Sequence, residues 1–327
     1  MTALVGVTLG AAVLAAVAGA LLPRWADAWG LQDVGEEGHR SHRGPLPRVG
    51  GLAVGLAFFV ACGAAGVLDG AVLLAPLALV LGLHDDLRAT DARGRLLAIT
   101  ALGVAVWWLG PSVETLRLTD VLVVDAPGPA ITVLWIVGVV VAFDFLDGLD
   151  GLAGGVAALA SVAWVGYAVA SGDAGRGLTS AALAGSLLGF LVHNLRPARI
   201  QLGDHGSNLV GFLVAVTALE AGGSAAGHPM VAAGLVLGVP ILDAGLTVGR
   251  RLRSGSGLFR SERGHLHHRL VDRGFGHGGA VLRLWGATAV GAAAAAASLQ
   301  GGVWTVAAAF VASASVVVLV RWSRPRP

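Results

Sequence analysis

The sequence predicts an all-α polytopic membrane protein of about eleven transmembrane helices, and three observations predict it. Of the 327 residues, 55% are hydrophobic and 13% are charged, whereas soluble domains carry roughly 25% charge. Mean hydropathy is +0.77, and apolar runs long enough to be helices recur from one end of the chain to the other. Finally, all 22 basic residues are arginines, and they fall almost entirely in alternate connections between those runs.

The apolar runs lie at about 3–22, 50–68, 71–84, 96–109, 129–143, 152–170, 178–193, 207–222, 229–247, 281–299 and 301–320. The first has no basic stretch ahead of it and Arg24 behind it, so it reads as a retained span rather than a cleaved leader. The third and fourth are short for a crossing of about 20 residues. Between the fourth and fifth, LRLTDVLVVDAPG alternates in places and predicts a short hairpin. Fifty glycines and many alanines suit close helix approach. The lone Cys62 excludes an intrachain disulfide and a cysteine metal cluster, and reads as a small apolar residue.

Arginine placement orients the chain. With the N-terminus outside, the connections at about 23–49, 85–95, 144–151, 194–206 and 249–280, with their flanks and the C-terminal tail, hold 20 of the 22 arginines. Only Arg117 and Arg176 fall outside. An excess of Lys and Arg marks the cytoplasmic side. The prediction is one integral domain over 1–327 in the cytoplasmic membrane, with a basic cytoplasmic face suited to phosphorylated ligands and anionic headgroups.

The carboxylates gather on that same face. Asp85 and Asp86 end the third run, Asp144, Asp147 and Asp150 follow the fifth in FDFLDGLDGLAGG, Asp204 precedes the eighth, and Asp243 lies near the end of the ninth. Charges near hydrocarbon face a polar cavity or a partner. An Asp-Asp pair alone is most often ordinary helix-end charge. The glycine-threaded triplet is more telling, because Asp144 and Asp147 share a helix face at the negative end of the helix dipole. LGDHGSN reads either as a turn in which Ser207 or Asn208 caps the next helix, or as a helix N-terminus offering N–H groups to an anion. HLHHRL, with His265, His267 and His268, reads as a basic loop or a phosphate contact; adjacent His267 and His268 diverge on a helix, which argues against a metal site. Carboxylates that hold Mg²⁺, beside Arg and His that neutralise phosphate oxygens, account for the mixture.

Taken in order, these segments resemble the polyprenyl-phosphate N-acetylhexosamine-1-phosphate transferases. HRSHRGPLPRVGG (39–51) is similar to the family's first cytoplasmic loop, and GLHDDL to its Asp-Asp motif. FDFLDGLDGLAGG is similar to N-x-x-D-G-x-D-G-L-A, HNLRPARIQLGDHGSNLVGF to F-N-x-x-P-A-x-x-F-x-G-D-x-G-S-x-x-L-G-F, and RSERGHLHHRL to D-R-x-H-L-H-H-R-L. The H-L-H-H-R-L form resembles the GlcNAc branch, closer to undecaprenyl-phosphate GlcNAc-1-phosphate transferases than to the phospho-MurNAc-pentapeptide translocases. The pattern departs at Asp144 (Asn in the family), His193 (Phe), Gln201 (an aromatic), Arg43 (a lysine position) and Glu262 (Asp). The first three departures bear on the donor sugar more than on the chemistry.

The resemblance implies transfer of an N-acetylhexosamine-1-phosphate from a UDP-sugar to undecaprenyl or decaprenyl phosphate, with release of UMP. It implies Mg²⁺, with Mn²⁺ as a substitute, held by Asp204 and secondarily by Asp147. Asp85, Asp86, Asp204, His265, His267 and His268 would be catalytic. Asp144, Asp147, Gly148, Asp150 and Asn194 would face the nucleotide sugar. His42, Arg43, Arg48, Arg263 and Arg269 would hold phosphates. The expected partners are the two substrates, the bilayer and a second copy of the chain, with no nucleic acid. Two alternatives remain: phospho-MurNAc-pentapeptide transfer of peptidoglycan synthesis, and, in a different class, a cation-coupled transporter, which would need acids near mid-membrane. The CDP-alcohol phosphotransferase pattern fails because the Ala-Arg pair it needs does not follow Asp147.

Overall fold

A computed structural model describes residues 1–33, 45–68, 70–88, 91–111, 115–117, 123–125, 128–222, 229–255, 264–300 and 302–323. The protein is a bundle of helices with two short hairpins. In chain order the helices are α1 (Thr2–Leu21), α2 (Gly50–Ala65), α3 (Ala75–Leu87), α4 (Ala92–Leu109), α5 (Gly128–Leu146), α6 (Leu152–Ala170), α7 (Gly177–Asn194), α8 (Asp204–Gly222), α9 (Pro229–Val236), α10 (Gly238–Ser254), α11 (Leu266–Leu270), α12 (Gly276–Ser298) and α13 (Gly302–Ser323). The expected hairpin between the fourth and fifth runs is there, with β3 (Thr115–Arg117) antiparallel to β4 (Val123–Asp125). A second, unanticipated hairpin pairs β1 (Gln32–Asp33) with β2 (Leu46–Pro47).

Each apolar run of the sequence coincides with a helix or a helix pair. Among the described residues, seven helices are long and apolar enough to cross a membrane, or eight if the bent pair α9–α10 counts as one span. The chain is thus an all-α multi-pass membrane protein. Its outer faces are apolar: Val5, Leu9, Val13 and Val17 of α1 are exposed, while Leu4, Ala11, Ala15 and Ala18 are buried on the opposite stripe. Exposed tryptophans sit at helix ends, with Trp25 and Trp29 after α1, Trp108 ending α4, and Trp304 and Trp322 near the two ends of α13. Amphipathic indoles favour that level of a bilayer.

The ninth run departs from expectation. Instead of one span over 229–247, α9 and α10 meet at a 78° bend. Pro240 is the cause: its ring would strike the carbonyl of Val236 if α9 continued, and it has no N–H to give. The expected loop at 249–280 is also shorter than predicted, since α10 runs to Ser254 and α11 opens at Leu266.

α8 is the axis. Its side chains are buried from His205 to Leu219, and α2, α3, α5, α6 and α9 surround it. Small residues permit the closest approaches. A Cβ on Gly185 or Gly189 of α7 would collide with the Thr8 or Ala12 carbonyl of α1, the glycine-every-fourth-residue contact of membrane helices. Likewise a Cβ on Gly82 of α3 would collide with the backbone of Asp204 and His205. Cys62 is fully buried, as a small apolar residue should be.

These close approaches predict stability. Gly82→Ala should cost about 1–3 kcal/mol through overpacking, seen as a lower thermal midpoint in detergent. Gly166→Ala in α6, with open space around it, should change stability by less than about 0.5 kcal/mol.

Candidate active site

The site forms where the ends of α3, α5 and α10 meet the starts of α4, α8 and α11. Residues 46–51 are sewn to 200–203, and this brings the first loop to α8. Gln201 N–H donates to the Pro47 carbonyl (2.9 Å), Gly50 N–H to the Gln201 carbonyl (2.8 Å) and Gly51 N–H to the Leu202 carbonyl (2.9 Å). Both glycines are needed here, because a Cβ would meet Phe190 and Gln201 at Gly50 and Gly206 at Gly51.

Asp86 then fixes the start of α8. Its Oδ1 accepts from Asp204 N–H at 3.2 Å, and its Oδ2 accepts from His205 N–H at 3.0 Å and pairs with His205 Nδ1. Arg48 lies 3.5 Å from the same carboxylate and 3.0 Å from Asp33. Asp86 is fully buried and caps a helix from across the bundle, so its part is to position Asp204. Its neighbour Asp85 points elsewhere. Arg95 of α4 donates to Asp85 Oδ2 at 2.7 Å and reaches Asp144 Oδ2 at 3.1 Å, while Ser207 donates to Asp144 Oδ1 at 3.4 Å. The aspartate that stands where the family has asparagine therefore has its own cation, supplied by another helix.

Asp147 and Asp204 are different. Neither carboxylate has a hydrogen-bond donor or an ion-pair partner among the described residues. Burial, reinforced by the charges of Asp204, Asp144 and Asp86, pushes the Asp147 carboxyl up to about 8, with Arg48 partly opposing. His267 packs on Gly148, where a Cβ would collide with its Nε2, and both its ring nitrogens are buried without a hydrogen-bond partner. His265 turns Nδ1 toward Asp243 Oδ2 at 3.0 Å, and Leu266 N–H donates to Asp243 Oδ1 at 2.7 Å.

Asp147, His265 and His267 border a cavity of about 850 Å³, which Asp204 and Asp243 do not line. Its apolar wall is Leu96 and Ile99 of α4, Leu134, Val137 and Val141 of α5, and Ile241, Ala244 and Val248 of α10. Its polar end is Arg95, Asp144, Asp147, Gly148, Arg251, His265, His267 and His268. Among the described residues, no three His, Cys, Asp or Glu side chains converge as a ready cation cage.

Several residues expected at the ligand serve as struts. Asn194 accepts from Gly151 N–H on its amide oxygen and donates its amide nitrogen to the Ile200 carbonyl, both at 2.9 Å, so it ties the turn before α6 to the loop after α7. Asp150 accepts from Ala198 N–H at 3.3 Å, tying the same loop to α6. Arg269 donates Nε to the Ser323 carbonyl of α13 at 3.0 Å and does not line the cavity. His42, Arg43 and Arg263 lie outside the described residues. From the sequence, Arg95, His205 and Arg251 are not singled out, and Asp243 is grouped with the other acids but given no role. For Asp243 a signal existed, a lone acid in an apolar run; for Arg95 nothing separates it from Arg93, two residues away.

The cavity is thus an apolar cleft between membrane helices that ends in carboxylates, arginines and histidines. Residues 68–222 match glycosyl transferase family 4. The chain is 32% identical to the decaprenyl-phosphate N-acetylglucosaminephosphotransferase of Mycobacterium leprae, over 77% of this chain and 74% of that one. It is 31% identical to the Mycobacterium tuberculosis protein of that name, over 77% and 72%. It is also 31% identical to the undecaprenyl-phosphate alpha-N-acetylglucosaminyl 1-phosphate transferase of Thermotoga maritima, over 54% and 52%. The chain belongs to glycosyl transferase family 4.

The Asp147 environment predicts a pH effect. The folded chain keeps this proton up to about 8, whereas an unfolded aspartate loses it near 4. The folded state therefore binds more protons across that window, and stability falls as pH rises through it. In chelator, the thermal midpoint should drop between pH 5 and 9, and Asp147→Asn should flatten the drop. An equal slope in the variant would remove Asp147 as its source.

Proposed function

We propose that this protein transfers GlcNAc-1-phosphate, or a closely related N-acetylhexosamine-1-phosphate, from a UDP-sugar to a polyprenyl phosphate and releases UMP. The observation that carries the reading is the two-part cavity. Its apolar wall on α4, α5 and α10 suits a prenyl tail, and its charged end suits the phosphates that must meet there. The names of the relatives support the same acceptor and the same sugar, and the H-L-H-H-R-L form favours this branch over phospho-MurNAc-pentapeptide transfer. A transporter is disfavoured because the carboxylates cluster at helix ends around one end of the cavity instead of along a path.

In this reading a phosphate oxygen of the lipid attacks the sugar-side phosphorus directly. Two anions approach each other, so charge must be screened. Arg95 and Arg251 hold phosphate oxygens at the cavity mouth, and His267 offers a ring nitrogen that lacks a protein partner. Asp85 steers Arg95. The acceptor's second pKa is about 6, so a strong base is not required. Asp147 and Asp204 fit Mg²⁺: they are hard oxygen donors, their charges act against each other, and Mg²⁺ uses one or two carboxylates and completes its shell with water and phosphate. When bound, Mg²⁺ would neutralise the diphosphate and the leaving group. Eleven spans, an outside N-terminus, and a polar end opening to the cytoplasm complete the proposal, carried by the 20 arginines on that side.

The test is UMP release by purified protein given polyprenyl phosphate, Mg²⁺ and a panel of UDP-sugars. UDP-GlcNAc or a near relative should be consumed, and excess chelator should stop turnover. Silence across the panel would sink the reading. Asp204→Asn should lower turnover by roughly 10²-fold or more while the protein stays folded. Direct attack further predicts no exchange of labelled UMP into the donor when the acceptor is omitted.

A further inference from the structure

Asp243 is a buried carboxylate that neither the predicted chemistry nor the motifs use. It sits in α10, 1% exposed, and both its oxygens are engaged by α11: Leu266 N–H donates to Oδ1 at 2.7 Å, and His265 Nδ1 lies 3.0 Å from Oδ2. A second oxygen, Thr247 Oγ1, lies 3.4 Å from the same Nδ1 and already accepts from Arg250 at 3.1 Å. The Thr247 hydroxyl can accept or donate, so the carboxylate decides the assignment, and an ionised carboxylate can only accept. The proton must be on Nδ1. With that edge turned away, Nε2 is the nitrogen His265 presents to the cavity it lines. The ring is held in this orientation by Phe145 at 5.0 Å and by His267, stacked in parallel at 5.6 Å.

We propose that Asp243 is a positioning residue that fixes His265 in its Nδ1–H tautomer, so that the Nε2 lone pair takes the proton of a phosphate monoester bound at the polar end of the cavity. The O–H bond of the acceptor's phosphate breaks, its electron pair stays on the oxygen that will attack, and the proton forms the imidazolium N–H. Asp243, 3.0 Å away, then balances the new charge. This deepens the proposed function and rests on it for the identity of the phosphate. The histidine that neighbours it in the motif differs: His267 has both nitrogens buried without partners and no carboxylate to set its tautomer. Unlike His267, His265 has a built orientation.

Two measurements test this. In protein labelled with ¹⁵N-histidine, His265, assigned by its loss in His265→Gln, should show a protonated Nδ1 and an unprotonated Nε2. The reverse tautomer would overturn the proposal whether or not any substrate is turned over, so its failure is separable from failure of the transfer reading. Asp243→Asn keeps the shape and can still accept from Leu266 N–H, but turns an amide N–H toward His265. It should lower kcat by roughly 10²-fold, the scale of one general base, with KM for either substrate changed less than threefold. In the His265→Gln background the same change should have no further effect on kcat. Independent losses at the two positions would reduce Asp243 to a structural cap and overturn the proposal.

Discussion

The site depends on one kind of contact: a carboxylate buried in one membrane helix that caps the first turn of another. Asp86 of α3 does this for α8, taking N–H groups from Asp204 and His205. Helix N-termini leave N–H groups without partners, and in a bilayer water cannot supply them. Something must cap α8 at a point where it lies deep inside the bundle. A negative charge also suits the positive end of the helix dipole. Asp243 repeats the arrangement at α11, again engaging a backbone N–H and the imidazole of a motif histidine. Thus the two motifs G-D-H-G-S and H-L-H-H-R-L, far apart in sequence, are anchored by the same device. Breaking either cap leaves a charge buried without its partners, which costs several kcal/mol.

Charge pairing then sorts the remaining acids. Arg95 holds Asp85 and Asp144 together, which neutralises two carboxylates with one guanidinium and leaves one net negative charge. Arg48 does the same between Asp33 and Asp86. Asp147 and Asp204 are left over; Arg48 only partly opposes the negative charge around Asp147, which keeps its proton up to about 8. A site that keeps two carboxylates close and unpaired stores electrostatic energy that a polycationic or cation-bearing ligand would release. That surplus is why a metal arriving with a diphosphate fits this floor better than a ligand that is purely anionic.

Much of this was legible in the sequence. The apolar runs coincide with helices or helix pairs because hydrophobic length is a strong signal in a membrane chain; the short α11 lies outside them, and Pro240 carries the information for the bend. Of the candidate acids and histidines, the structure brings Asp144, Asp147, His265, His267 and His268 to one cavity. What composition and spacing could not give was which atoms of each motif are spent on structure. Asn194 and Arg269 look like ligand groups because they are polar and sit within motifs, yet their hydrogen bonds go to backbone carbonyls and an N–H of neighbouring segments. Such bonds are set by tertiary approach, and that approach rests on glycines such as Gly50, Gly51 and Gly82, each one among fifty in the sequence.

The departure at Asp144 shows how such substitutions are carried. An asparagine there could hydrogen-bond to Ser207 but could not balance Arg95, which already faces Asp85. With aspartate, Arg95 is held from two sides and its guanidinium is aimed across the cavity mouth between α4 and α5. An incoming phosphate must then compete with two carboxylates for one arginine, and the one net negative charge of this cluster weakens its intrinsic phosphate attraction. Arg251, with its guanidinium 5.3 Å above the Phe145 ring, lines the same end of the cavity from α10. The first phosphate contact thus falls more naturally to Arg251, with Arg95 engaged as its carboxylates turn to other partners. In this chain the change from amide to acid alters the order in which charges are exchanged and leaves the set of groups around the phosphates intact.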